Sequence, residues 1–120
     1  MLKDHLYSIE NLELGENIVN AHIRLNPDHP IFKGHFPDVP VLPGVSMMQM
    51  VKEIMEEALK RSFLLRSASQ MKFLQMLNPK EVAQVDFTID FQELEEGAIK
   101  LKAQMHHKEV VYFKISAQLI

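Results

Sequence analysis

The chain has no cysteine among its 120 residues. That excludes disulfides, thiolate metal sites and a cysteine nucleophile, and it fits a reducing compartment. There is no run of Lys and Arg, and the formal net charge is −3. A phosphate footprint for nucleic acid is therefore missing. No apolar stretch approaches the roughly 20 residues needed to span a bilayer. The opening residues, MLKDHLYSIE, carry charges where a signal peptide needs an apolar run. These absences predict a cytoplasmic protein with neither a membrane nor nucleic acid as partner. No repeat, low-complexity tract or linker interrupts the chain, so residues 1–120 read as one domain.

What is present is an ordinary globular composition, 47% apolar and 24% charged, in a chain long enough for a single buried core. Leu6 to Leu14 reads as extended, and a change of apolar parity between Ile9 and Leu12 predicts a bulge. Gly15-Glu16-Asn17 is a hairpin turn. Val19, Ala21, Ile23 and Leu25 alternate with Asn20, His22 and Arg24, the pattern of a half-buried strand. Late in the chain four more strands are expected, over residues 68–77, 85–91, 99–105 and 111–119. The turns between them, at 78–81, 95–97 and 106–109, are short, which makes neighbours antiparallel.

Between the two groups of strands lies the most informative stretch. Residues 26–43 hold Pro27, Pro30, Pro37, Pro40 and Pro43, which rule out a continuous helix and deny a sheet its donors. A short helical turn fits at 30–33. A loop this long in so small a domain usually carries function. A helix then follows. Pro43 suits its first turn, and Gly44 lets another group approach the backbone closely. Val45, Met48, Val51, Ile54, Met55, Ala58 and Leu59 form its apolar face, and the helix should fade between Leu59 and Phe63. Lys52, Glu56, Glu57, Lys60 and Arg61 offer i,i+4 pairs on its outer side. One helix against about six antiparallel strands is an α+β domain. A single helix cannot cover the face and both edges of such a sheet, so a dimer is expected.

GHFPDVPVLPGV, residues 34–45, resembles the active-site stretch of the 3-hydroxyacyl-(acyl-carrier-protein) dehydratases. Met71-Lys72-Phe73 and Asn78-Pro79-Lys80-Glu81 continue the likeness, which covers most of the chain. The resemblance implies the hotdog fold, one long central helix wrapped by a curved antiparallel sheet. It implies dehydration of 3-hydroxyacyl thioesters to trans-2-enoyl thioesters in fatty-acid or related acyl-chain synthesis. His35 matches the base that removes the α-proton. Gly44, with Val45 beside it, matches the backbone site for the thioester carbonyl. Phe36, Pro43 and Met48 fall in the same substrate-binding stretch. Physical chemistry supports the carbonyl site, because the first amides of a helix lack internal partners and the helix dipole favours negative charge there. A developing enolate oxygen requires that.

The chain departs from the family where the acid belongs. Gln49 stands at the usual glutamate position, and Glu53 stands one turn later, where the family has glutamine. Glutamine cannot give up a proton at useful pH. Glu53 is therefore a second candidate for the catalytic acid, set against the simpler reading of a solvated helix residue. Gln49 either holds a substrate hydroxyl or a water, or is a satisfied polar group on a buried helix. Met47, Met48, Met50, Met55, Met71, Met76 and Met105 either line an acyl tunnel or form ordinary core. The adjacent His106 and His107 point to opposite faces of a strand, so no metal and no cofactor is expected. The expected partners are an acyl carrier protein or coenzyme A thioester and a second copy of the chain, as a homodimer or a trimer of such dimers. A hotdog thioesterase using Glu53 and a carrier-binding relative without turnover are the alternatives.

Overall fold

The computed structural model describes residues 1–33 and 40–120. His35 and Phe36, the expected base and its neighbour, lie outside the described residues. The chain order is β1 (Tyr7–Gly15), β2 (Ile18–Leu25), α1 (Gly44–Leu59), β3 (Leu65–Phe73), β4 (Gln84–Glu93), β5 (Ile99–His107) and β6 (Val110–Leu119). The strands make one six-stranded sheet in the order β1-β2-β4-β5-β6-β3, and every pairing is antiparallel. This is the α+β layout expected from the alternation of apolar residues.

That alternation decides which face meets the helix. Val19, Ala21, Ile23 and Leu25 of β2, Val85, Phe87, Ile89 and Phe91 of β4, and Ile99, Leu101, Ala103 and Met105 of β5 are all buried. Phe113, Ile115, Ala117 and Leu119 of β6 join them. Their polar neighbours in sequence face away from α1, because successive side chains of a strand alternate. The expected irregularity in β1 is present as a register shift between Ile9 and Asn11. The short helical turn is present at Pro30–Lys33, with Phe32 buried.

The helix begins after Pro43, which is extended (φ −66°, ψ 145°) and gives no side-chain cap. It ends at Lys60, whose left-handed backbone (φ 56°, ψ 46°) sends its N–H to the Glu56 carbonyl. Its buried face matches the expected one from Val51 onward, with Met48, Ala58 and Leu59 half-buried against the core, and differs before it. Met47, Met50, Val51, Ile54 and Met55 are buried, with Ser46 and Glu53 among them, while Val45 is 72% exposed. The first half of α1 is apolar on nearly every side, so periodicity did not single out one face there. Lys52 pairs with Glu56 as expected (3.2 Å), but Lys60 pairs with Glu57 at i,i+3 (3.1 Å).

Two strands also differ from expectation. β3 was expected over 68–77 and forms at Leu65–Phe73. Leu64 and Ile120 exchange both backbone hydrogen bonds, which starts the ladder early. Leu74 and Gln75 both donate to the Tyr112 carbonyl, which ends it, and Leu77 turns into the core. β5 runs on through His107, leaving only Lys108 and Glu109 as the turn.

The two edges of the sheet are unlike. β1 carries Glu10 and Glu13 along its length, the kind of charge that discourages strand addition. Around β3, Leu64, Leu65, Met71, Phe73, Leu74 and Met76 are 42–73% exposed.

Candidate active site

The helix start is built by three neighbours. The Leu42 N–H donates to the Leu77 carbonyl at 3.0 Å, which ties the end of the proline-rich segment to the chain after β3. Pro43 then turns the backbone into α1, and its carbonyl accepts from Ser46 and Met47. The N–H groups of Gly44 and Val45 have no backbone acceptor among the described residues, as the first amides of any helix must. Phe73, at the end of β3, lays its ring against Gly44. An ideal Cβ at residue 44 would stand 2.6 Å from Phe73 Cζ and 3.2 Å from its Cδ1. The ring also stacks on Phe113 of β6, with centroids 5.2 Å apart. The close approach expected at Gly44 is therefore made by the chain's own aromatic ring.

Beside this start a cavity of about 190 Å³ opens between α1 and the sheet. Val45, Met48, Gln49, Val51 and Lys52 line it from the helix. Leu101, Ile115, Ala117 and Leu119 line it from β5 and β6, and Leu65 closes the β3 side. Its wall is apolar apart from Gln49 and Lys52. A larger depression of about 350 Å³ lies on the opposite face of the sheet. It is walled by Lys72, Lys102, Lys114, Asp90 and other polar side chains, and it is open to solvent. Only the first has the apolar character of a small-molecule pocket.

Glu53 does not line the cavity. Its carboxylate is buried, 1% exposed, and is held by the N-terminal segment. Oε1 accepts from the Lys3 N–H (2.8 Å), the Leu2 N–H (3.1 Å) and the Tyr7 hydroxyl (3.1 Å). Oε2 accepts from the Leu2 N–H (2.9 Å) and from Gln49 Nε2 (2.7 Å). Burial alone would push its pKa up, but the bonds from Leu2, Gln49, Lys3 and Tyr7 outweigh it, and the net shift is downward. The Tyr7 hydroxyl is pushed well above its ordinary range by burial and by the Glu53 charge. A carboxylate held ionised in this way is a poor proton donor, so the geometry gives no support to Glu53 as the acid.

Of the expected site residues, Val45, Met48 and Gln49 meet at one cavity, with Pro43 and Gly44 at the helix start beside it. Tyr7 and Phe73 are the residues that sequence reasoning left without a role. Phe73 sat in a matched stretch. For Tyr7 nothing local signalled a bond to a residue 46 positions away.

Comparison with known proteins adds to this geometry. A model of the ApeI-like family, described as ApeI dehydratase, matches residues 11–115. The chain belongs to the ApeI-like dehydratase family. It is also 26% identical over 108 residues to the 3-hydroxyacyl-(acyl-carrier-protein) dehydratase FabZ of Lactobacillus helveticus, spanning 83% of this chain and 72% of that one. Among solved structures it resembles the dehydratase heterocomplex ApeI:P from Xenorhabdus doucetiae. That match has a TM-score of 0.72 at 20% identity, and covers 92% of this chain and 95% of the other. The thioesterase HI1161 from Haemophilus influenzae matches with a TM-score of 0.64 at 13% identity, over 96% and 78% of the two chains. The fold of this ApeI-like protein is thus the hotdog fold. None of its described helices is long and apolar enough to cross a membrane.

Proposed function

We propose that the protein dehydrates 3-hydroxyacyl thioesters, carried by acyl carrier protein, to trans-2-enoyl thioesters. The observation that carries this reading is the apolar cavity, lined by Gln49, that opens beside helix amides with no backbone acceptor among the described residues. In this reading the acyl chain lies along Met48, Leu101, Ile115 and Ala117. The thioester carbonyl rests on the N–H groups of Gly44 and Val45, where enolate charge is stabilised as it develops. His35, assigned by its motif, removes the proton from C2. The C3–O bond breaks, and the proton taken from C2 leaves with the hydroxyl as water. The proton balance then closes without a second ionisable group, which suits Gln49.

The apolar margin of β3 supports a homodimer formed edge to edge along that strand. At about 190 Å³ the cavity is smaller than the roughly 300–1,000 Å³ of a typical ligand pocket. A second chain across Val45 and Leu65 would enlarge and close it. The neighbour named as a heterocomplex, ApeI:P, supports a different chain as the alternative partner. In this reading the protein acts in the cytoplasm.

The test is incubation of the purified protein with 3-hydroxyacyl carrier protein. Loss of one water from the acyl group, seen by mass spectrometry and abolished by His35→Ala, is the expected result. Release of free carboxylic acid would instead assign a thioesterase, and tight binding without product a carrier-binding protein.

A further inference from the structure

Gln49 lines the cavity, and its orientation there has a physical cause. Glu53 is buried and ionised, and an ionised carboxylate only accepts hydrogen bonds. The end of the Gln49 side chain that lies 2.7 Å from Glu53 Oε2 must therefore be the NH2 group. The reverse orientation would press an amide oxygen against a charged oxygen. Leu2, Lys3 and Tyr7 fill the remaining acceptor positions of Glu53 from the other side. The carboxylate is thus fixed, and with it the amide.

We infer that Glu53 is a positioning residue that turns the Gln49 carbonyl oxygen toward the cavity, and that this oxygen selects acyl thioesters bearing a hydroxyl group. The inference rests on the thioester reading given above. Gln49 lines the cavity and Glu53 does not. Among the described residues no donor reaches Gln49 Oε1. The other polar residue on the wall, Lys52, has its ammonium group on Glu56 at 3.2 Å. The polar point that an acyl chain meets is consequently an acceptor. A 3-hydroxyl can donate to it and leave its own lone pairs free. A 3-oxo group brings oxygen against oxygen, and a saturated chain brings nothing. A site built to pair with a hydroxyl rejects analogues that lack it, because its own polar atom is left without a partner.

The experiment compares binding of three pantetheine thioesters of one chain length, the 3-hydroxyacyl, 3-oxoacyl and saturated forms, to the full chain. Wild type is expected to prefer the 3-hydroxyacyl form by about tenfold, the worth of one net hydrogen bond. Gln49→Met removes the oxygen and should erase the preference, the 3-hydroxyacyl form losing its acceptor and the saturated form no longer leaving a polar atom unpaired. Glu53→Gln frees the amide to rotate and should cut the preference severalfold, with the 3-oxoacyl form gaining. Tyr7→Phe weakens the same anchor without touching the pair, so it should lower the melting temperature and keep the preference. A merely structural Glu53 would make Glu53→Gln behave like Tyr7→Phe, which overturns the inference. Equal binding of all three thioesters by wild type also overturns it, while the thioester reading survives. Failure to bind any of them sinks both. Should Glu53→Gln not fold, the wild-type Gln49 side-chain amide decides. Slowed exchange of its NH2 protons is expected, and free exchange contradicts the assignment.

Discussion

Replacing Gly44 with alanine tests how the helix start is packed. The new methyl would stand 2.6 Å from Phe73 Cζ, well inside ordinary contact. The ring is half-exposed and attached by a flexible side chain, so it swings away rather than forcing the backbone apart. It then gives up its stacking on Phe113, worth about 0.5–1.5 kcal/mol. Residual crowding adds to this, since overpacking costs roughly 1–3 kcal/mol in rigid cores and less where the obstacle moves. Alanine's better helix propensity, up to about 1 kcal/mol in a helix interior, offsets part of the loss. The net cost should be about 1–2 kcal/mol, or a fall of roughly 3–10 °C in Tm for a domain of this size. The assay is a double-mutant cycle with Phe73→Ala, followed by urea or thermal melts. In the Phe73→Ala background the alanine at 44 should be neutral or stabilising. An equal loss in both backgrounds would show that Phe73 is not what requires the glycine.

Four further outcomes follow from the same structure. Glu53→Ala strips the partner from two backbone amides, a tyrosine and Gln49, and should cost about 2–4 kcal/mol by chemical melts, limited by the N-terminal segment peeling away. Because the Glu53 pKa is lowered in the folded protein, its contribution is full above the unfolded value of about 4.3 and disappears as pH falls through the folded one. Wild type and Glu53→Gln should therefore converge in Tm on acidification below that range, and a gap that widens there would contradict the assignment. Ala117→Leu fills the cavity from β6, so acyl-chain binding should fall at least tenfold by calorimetry while the fold survives. Met71→Lys places charge on the apolar edge strand and should shift a dimer toward monomer in light scattering.

The sheet was legible because alternation of apolar residues is a strong signal in β2, β4 and β5, whose inner faces are buried without exception. β3 was harder. Its apolar residues are exposed in the single chain, so they obey an edge rather than a core, and its limits are set by backbone pairing with β6. The helix was placed correctly and its second half faces the core as expected, but in its first half Val45 is exposed and Met47 and Met50 are buried, since Val45, Met47, Met48 and Met50 leave little polar contrast. At the site, Gln49 stood out because it replaced an expected acid. The purpose of Glu53 was hidden, because Leu2 and Lys3 reach it with backbone amides from the far end of the sequence, and backbone amides carry no sequence mark.

The most direct measurement is a titration of the isotopically labelled protein with a 3-hydroxyacyl pantetheine thioester, followed by amide NMR. The largest shifts are expected on the Gly44 and Val45 amides, with methyl shifts at Met48, Ile115 and Leu119. Shifts confined to the lysine-lined outer face, around Lys102 and Lys114, would contradict this.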